Sequence, residues 1–266
     1  QRKDFSRLNY GLVLMYNNLG GKAQGIGGLI QLGYSKRFAL LYNIPYASSN
    51  GKLGISFYGG YDQQHEVTIG TNNNKRVFYT GLGGNTKEHW QLQFSLLHRH
   101  KIVTTNTISA AFKNVSIVPP VSALKQDYLG DSLPNIRYLE LSYLFKKDKR
   151  NYKHYPLTGY YLDLLIQQHG LGINNNLFLT TFEGSASKFL KVHNRVYGAI
   201  GFKGKFTPQN NIPYFLQQGL GYDNNLRGYE YYVVDGNHFG MFKSNIKLEL
   251  IEKKNSLLKK IKNQKF

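Results

Sequence analysis

Residues 219–250 read GLGYDNNLRGYEYYVVDGNHFGMFKSNIKLEL, and the order of features along them decides the fold. A lead-in rich in Gly, Asp and Asn carries Leu226-Arg227-Gly228-Tyr229, and a second turn signal follows at Asp235-Gly236. Beyond it, Phe242, Ile246, Leu248 and Leu250 oppose Lys243, Asn245, Lys247 and Glu249. Alternation with a period of two marks a strand with one apolar and one polar face. The stretch is a long loop that delivers the chain into an amphipathic strand.

The same period recurs upstream. Leu8 to Tyr16 opens the series, and Phe38, Leu40, Tyr42 and Ile44 share a face of the next clear strand. Leu53, Ile55 and Phe57 oppose Gly54, Ser56 and Tyr58, while Trp90, Leu92, Phe94 and Leu96 oppose Gln91, Gln93 and Ser95. Leu139, Leu141 and Tyr143 oppose Glu140 and Ser142, and Val196, Ile200, Phe202 and Phe206 oppose Lys203 and Lys205. The spacing predicts about twelve strands of ~9–14 residues, longer than the ~5–6 of ordinary globular strands. They match the ~9–11 tilted residues that cross a bilayer. Short turns near 47–51 and 146–151 alternate with longer connections at 115–135 and 207–237, the asymmetry of outer-membrane barrels. No helical pattern emerges, and residues 253–266 read as a basic, solvated link. The expected fold is all-β: one antiparallel transmembrane β-barrel domain over 1–266, without a linker or a shift in composition.

Composition narrows the function. Apolar residues make up 41% of the chain, and no run approaches the ~18–20 consecutive apolar residues of a spanning helix. Barrel strands average to modest hydropathy because lipid-facing and lumen-facing residues alternate. The 21 Tyr, 16 Phe and 28 Gly fit interfacial girdles and turns. With no Cys there is neither a disulfide nor thiol chemistry. A net charge of +19 fits nucleic acid, or anionic lipid and lipopolysaccharide at a membrane surface, or a lysine-rich chain with solvated loops. The aromatics do not cluster with basic residues as a nucleic-acid module would require, so nucleic acid is not an expected partner. No Gly-x-Ser-x-Gly elbow, phosphate-binding loop or His-Glu-x-x-His occurs. His98 and His100 share a strand face but lack a third ligand. Neither a metal, a cofactor nor an enzymatic reaction is expected.

Arg227 lies on a loop of about thirty residues, and unstructured loops of that length are usually functional or disordered. Gly228 permits a tight backbone reversal beside it. Parity with Lys243, Asn245 and Lys247 points Glu249 to the polar face, so an inward-folded loop could bring the Arg227 guanidinium to that carboxylate. Tyr229, Tyr231 and Tyr232 form an aromatic tip, placed either against a lumen wall or outside, where it would bind a sugar or a partner.

The Gly-rich lead-in, Leu226-Arg227-Gly228-Tyr229, Asp235-Gly236 and the strand ending Leu248-Glu249-Leu250 together resemble the signature of the Omp85 superfamily, the BamA-like outer-membrane assembly factors and their relatives. Asn17-Asn18-Leu19-Gly20-Gly21 and Asn43-Ile44-Pro45-Tyr46 resemble early barrel strands of that family. The resemblance implies a sixteen-stranded barrel of the Gram-negative type of outer membrane, present here without its outermost strands, so that the chain reads as the interior of a longer protein. Soluble POTRA domains precede the barrel in this family, and none is visible before Gln1. The resemblance also implies that Arg227 contacts a lumen-facing acid on the following strand, which Glu249 matches. The implied function is insertion of unfolded outer-membrane client proteins by strand templating at a barrel seam, in contact with membrane lipid and with accessory lipoproteins. A two-partner secretion pore shares the same loop, and a passive porin or ligand-binding barrel is the rival outside the family.

Overall fold

The computed structural model describes residues 5–81, 84–171, 177–222, 228–229 and 231–250. Eleven strands form one sheet: β1 Asn9–Leu19, β2 Gln24–Gly33, β3 Ser35–Ile44, β4 Leu53–Gln64, β7 Lys87–Lys101, β8 Thr104–Ile117, β9 Asn135–Asp148, β10 Gly159–His169, β11 Leu179–His193, β12 Val196–Phe206 and β15 Phe239–Leu248. Every neighbour is antiparallel and follows in chain order, which is an up-and-down meander. The four remaining strands make two small hairpins inside the long connections: β5 Glu66–Asn72 with β6 Lys75–Thr80, and β13 Gln218–Leu220 with β14 Val234–Asp235. The count of about twelve strands thus resolves into eleven wall strands plus these hairpins. β1 and β15 are the outer strands of the sheet, which curves enough for Asn43 of β3 and Gln167 of β10 to line one concavity.

Burial is inverted relative to a soluble protein. On β7 and β8 the inward pairs are Gln93 with Ala111 and Ser95 with Ser109, and both serines are buried. The outward pairs are Leu92 with Phe112 and Leu96 with Ile108, where Leu92 is 60% and Ile108 59% exposed. Leu40, Phe202 and Phe242 stand out in the same way, while Glu140, His169 and Thr181 are buried on the concave side. A wall that shows its apolar side chains outward and its polar ones inward has hydrocarbon as its outer solvent. No helix among the described residues is long and apolar enough to cross a membrane; the strands do the crossing.

The apolar core sits at one end of the barrel. Val115 and Ile117 at the end of β8, Ile136 and Tyr138 at the start of β9 and Leu179 at the start of β11 pack with Tyr128, Leu129, Ile212 and Tyr214 from the loops. The three longest connections of the wall, 65–86, 118–134 and 207–238, lie at that end and cap the barrel with a dome. Two of its elements have clear local causes. The short helix α1, Pro119–Leu124, begins at Pro-Pro, where a first helical turn loses nothing by lacking N–H donors. The β5–β6 hairpin turns at Asn73 and Asn74, both with positive φ, which Asn tolerates in the primed turns that match strand twist. Neither element is signalled by apolar periodicity. The turn expected at 146–151 falls instead at 149–158, because Lys146 to Asp148 continue β9.

Candidate functional site

The connection between β12 and β15 carries the sequence motif, and its base lies over the inner wall. Lys205 is on the inward parity of β12, and its Nζ donates to the carbonyls of Leu216 at 3.2 Å and Gln218 at 3.1 Å. A second attachment is to the dome: the Tyr214 and Phe215 amides donate to the carbonyls of Asp127, at 2.9 Å, and Tyr128, at 3.2 Å. The loop therefore enters across the barrel mouth rather than leaning away from it.

Asp235 is the centre of the loop. Tyr214 donates its hydroxyl to Oδ2 at 2.9 Å, and Tyr222 donates to Oδ1. Hydrogen bonds to an ionised carboxylate are about twice as strong as neutral ones, and this carboxylate joins the start of the loop to both legs of its hairpin. Burial, then the bond to Asp235, pushes the Tyr222 hydroxyl up to about 12; the same causes raise Tyr214 further. Arg76 of β6 caps the arrangement, with Nη2 donating to the Gly221 carbonyl at 3.3 Å and its guanidinium 4.6 Å from the Tyr222 ring centroid. The Val233 amide donates to the Asn74 carbonyl at 2.8 Å. Two long connections are thereby locked to each other.

Backbone demands are concentrated at Gly221. Its φ is +89°, and a Cβ there would lie 2.1 Å from the Tyr232 carbonyl oxygen. Only glycine lets the two legs approach this closely. Gly228 also has a positive φ, +81°, but with open space beside it. Gly236 closes the hairpin by donating its amide to the Gln217 carbonyl at 3.1 Å.

The sequence-derived site residues separate into three groups. Asp235 and Gly236 are in the clamp. Tyr229 is 61% and Tyr231 86% exposed, and the Tyr229 ring meets Tyr232 edge-on at 5.7 Å; this tip projects rather than packing on the wall. Leu226 and Arg227 lie outside the described residues, and with them the pairing of Arg227 to Glu249. Glu249 itself follows the inward parity of β15: Lys247 and Glu249 are half-buried, while Ile246 and Leu248 are exposed. Its carboxylate accepts a 3.4 Å hydrogen bond from Tyr197. Tyr214, Tyr222 and Arg76 carry no such signal, since their partners are remote in sequence and they belong to no periodic pattern; for Lys205 the alternation of β12 gives the inward face but not its partners Leu216 and Gln218.

Two further polar features flank this loop. In the lumen wall Glu140 takes a 2.7 Å hydrogen bond from Lys113 and lies 2.8 Å from His169 Nδ1, with Gln167 Nε2 at 3.4 Å from its other oxygen. At the opposite mouth, the 149–158 turn reaches past β11 and β12 to β15. There Lys247 Nζ donates to the Pro156 carbonyl at 3.0 Å and sits 3.9 Å from the Tyr155 ring centroid. Among the described residues no group of three or more His, Cys, Asp or Glu side chains gathers to hold a metal.

The model of the Omp85 superfamily domain matches residues 18–238, most of the wall and nearly all of the motif loop. The chain belongs to the Omp85 superfamily. Among solved structures, this Omp85 chain is similar to BamA from Haemophilus ducreyi lacking POTRA domains 1–3, with a TM-score of 0.72 at 12% identity over 92% of this chain and 53% of that one. It is also similar to CdiB from Escherichia coli, with a TM-score of 0.57 at 13% identity over 93% of this chain and 46% of the other. At these identities the likeness is one of fold. The Omp85 chain spans about half the length of the solved structures it matches. No curated protein matches it. Its inverted wall and its family make it an outer-membrane β-barrel protein.

Proposed function

We propose that this Omp85 barrel inserts unfolded outer-membrane proteins into the bilayer, with the Arg227 loop held in the lumen as a positioning element. The observation that carries the reading is the footing of that loop. Lys205 ties its base to the inner wall, and Asp235 clamps its hairpin beside the motif. A loop that long is expensive to order, so an order maintained by a dedicated carboxylate implies a use for its tip. In this reading Arg227 pairs with Glu249, which has inward parity near the opposite mouth, so the tip descends the lumen from the dome to reach it. Client strands add by edge pairing at the seam between the first and last barrel strands, a β-augmentation within the membrane. The reading requires no catalytic group; its partners are client polypeptides, membrane lipid and accessory lipoproteins.

The test uses the full-length protein reconstituted in vesicles and scored for assembly of a denatured barrel client. Arg227→Ala leaves a folded barrel and lowers the assembly rate; Arg227→Glu and Glu249→Arg each do the same, and the double exchange restores part of it. Single variants that assemble clients at the wild-type rate overturn the loop assignment. Export of a soluble client without insertion of barrels would assign the protein to secretion instead.

A further inference from the structure

A second site lies on the outside of the wall, at the end opposite the dome. Tyr160, second residue of β10, has outward parity: Leu162 and Leu164 on the same face are exposed to lipid, at 40% and 42%. Three ammonium groups converge on its ring. Lys147 Nζ lies 5.6 Å from the ring centroid, and Lys149 and Lys188 Nζ each lie 5.7 Å away. They come from β9, the following turn and β11, and the sheet register brings them together: Lys188 is opposite Tyr160, and Lys147 is opposite Leu162.

The neighbouring carboxylate does not neutralise them. Asp148 turns to the other face and is held by Arg150, with Nε at 2.9 Å from Oδ1 and Nη2 at 2.8 Å from Oδ2. Among the described residues, no ion pair involves Lys147, Lys149 or Lys188. The frame beneath them is rigid. The Lys149 amide donates to the Tyr160 carbonyl at 2.8 Å, and Asn151 Oδ1 accepts from the amides of Leu157 and Thr158 at 3.0 and 3.1 Å. Gly159 has φ +103°, and a Cβ there would lie 2.1 Å from the Lys149 carbonyl oxygen, so the turn folds back tightly and holds Lys149 beside the ring.

Height along the wall identifies the ligand. Leu162 and Ala186 are level with Lys147, and Phe145 and Leu164 lie one step nearer the dome. Leu190 and Val192 continue the outward face of β11 past Lys188, so the charges stand within the turn-side margin of the apolar band. That margin is on the short-turn side, which is periplasmic in barrels of this type. A tyrosine ring flanked by three ammonium groups that no carboxylate among the described residues pairs, at the margin of the apolar wall, is complementary to a phosphate whose acyl chains run along that wall. The geometry points to a binding site for the phosphate headgroup of an anionic phospholipid in the periplasmic leaflet, formed by Lys147, Lys149, Lys188 and Tyr160. It is independent of the motif loop and of the assembly reaction.

Native mass spectrometry of the full-length protein, released from micelles holding equal amounts of phosphatidylglycerol and phosphatidylcholine, reads the site directly. The wild type retains phosphatidylglycerol in preference. Lys147→Gln/Lys188→Gln loses that preference by roughly fivefold per lysine, while Lys147→Arg/Lys188→Arg, equally folded by heat-modified mobility, keeps it. A wild type without preference, or a Gln variant that retains it, overturns the proposal. Displacement of the lipid by inorganic phosphate alone also overturns it, by assigning the cluster to a free anion.

Discussion

Tyr214 holds Asp235: its hydroxyl donates to the carboxylate at 2.9 Å across 21 residues of chain. Tyr222 takes the other oxygen of the same group, so one side chain fixes both ends of the motif loop. Replacing the carboxylate by an amide removes the charge and leaves one oxygen for two donors. Asp235→Asn is expected to cost about 2 kcal/mol locally, the scale of hydrogen bonds to charged groups. Hydrogen exchange over 214–236 rises about tenfold or more, while exchange in the wall strands is unchanged.

The same contact has a pH signature. The Tyr222 hydroxyl titrates near 10 in an unfolded chain and is pushed up to about 12 here. The folded loop therefore binds this proton more tightly than the unfolded one. Its contribution is complete below pH 10 and is lost as pH rises from 10 through 12. Limited proteolysis of the loop between pH 9 and pH 12 should show the loss in that window, and Tyr222→Phe should reduce the step, leaving the part that Tyr214 contributes.

Two glycines of the loop separate backbone crowding from backbone conformation. Gly221→Ala brings a Cβ to 2.1 Å from the Tyr232 carbonyl, whereas Gly228→Ala meets open space at a similar φ. The second substitution costs only the left-handed conformation, about 1 kcal/mol. The first must also part the two legs of the hairpin. Tyr222 should gain solvent exposure in Gly221→Ala and not in Gly228→Ala, as read by tyrosine nitration.

In the lumen, Glu140 is flanked by Lys113 and His169, with side-chain exposures of 7%, 18% and 8%. Removing one member strands the others in a poorly solvated wall. Glu140→Gln should destabilise the barrel by about 3 kcal/mol, the low end for a broken buried pair because Lys113 retains some water. Glu140→Leu/Lys113→Met should recover most of that loss. Thermal unfolding in detergent, followed by heat-modified mobility, compares the three.

Much of the architecture was legible in the residues. Trp90 to Leu96 alternates so strictly that its inward Gln91, Gln93 and Ser95 need no coordinates to be placed. The parity of Glu249 could be read the same way, because a strand has only two faces. The dome was not legible: Val121, Tyr128, Ile212 and Tyr214 belong to irregular connections, where no period links a residue to its neighbours in space. Asp235 was visible, but only as half of an Asp-Gly turn signal.

What the sequence by itself determined is the wall, in its length of strand, alternation and direction of polarity, because those follow from a local period of two and from the bilayer's thickness. Tertiary structure alone decided which side chains meet across connections. Asp235 found Tyr214 and Tyr222, Arg76 crossed from another hairpin to Gly221, and three lysines from separate segments gathered at Tyr160. The physical reason is that strand patterning is set by solvent on either side of one ribbon. A clamp or a charge cluster, by contrast, depends on register between ribbons and on loop closure, which a one-dimensional pattern does not encode.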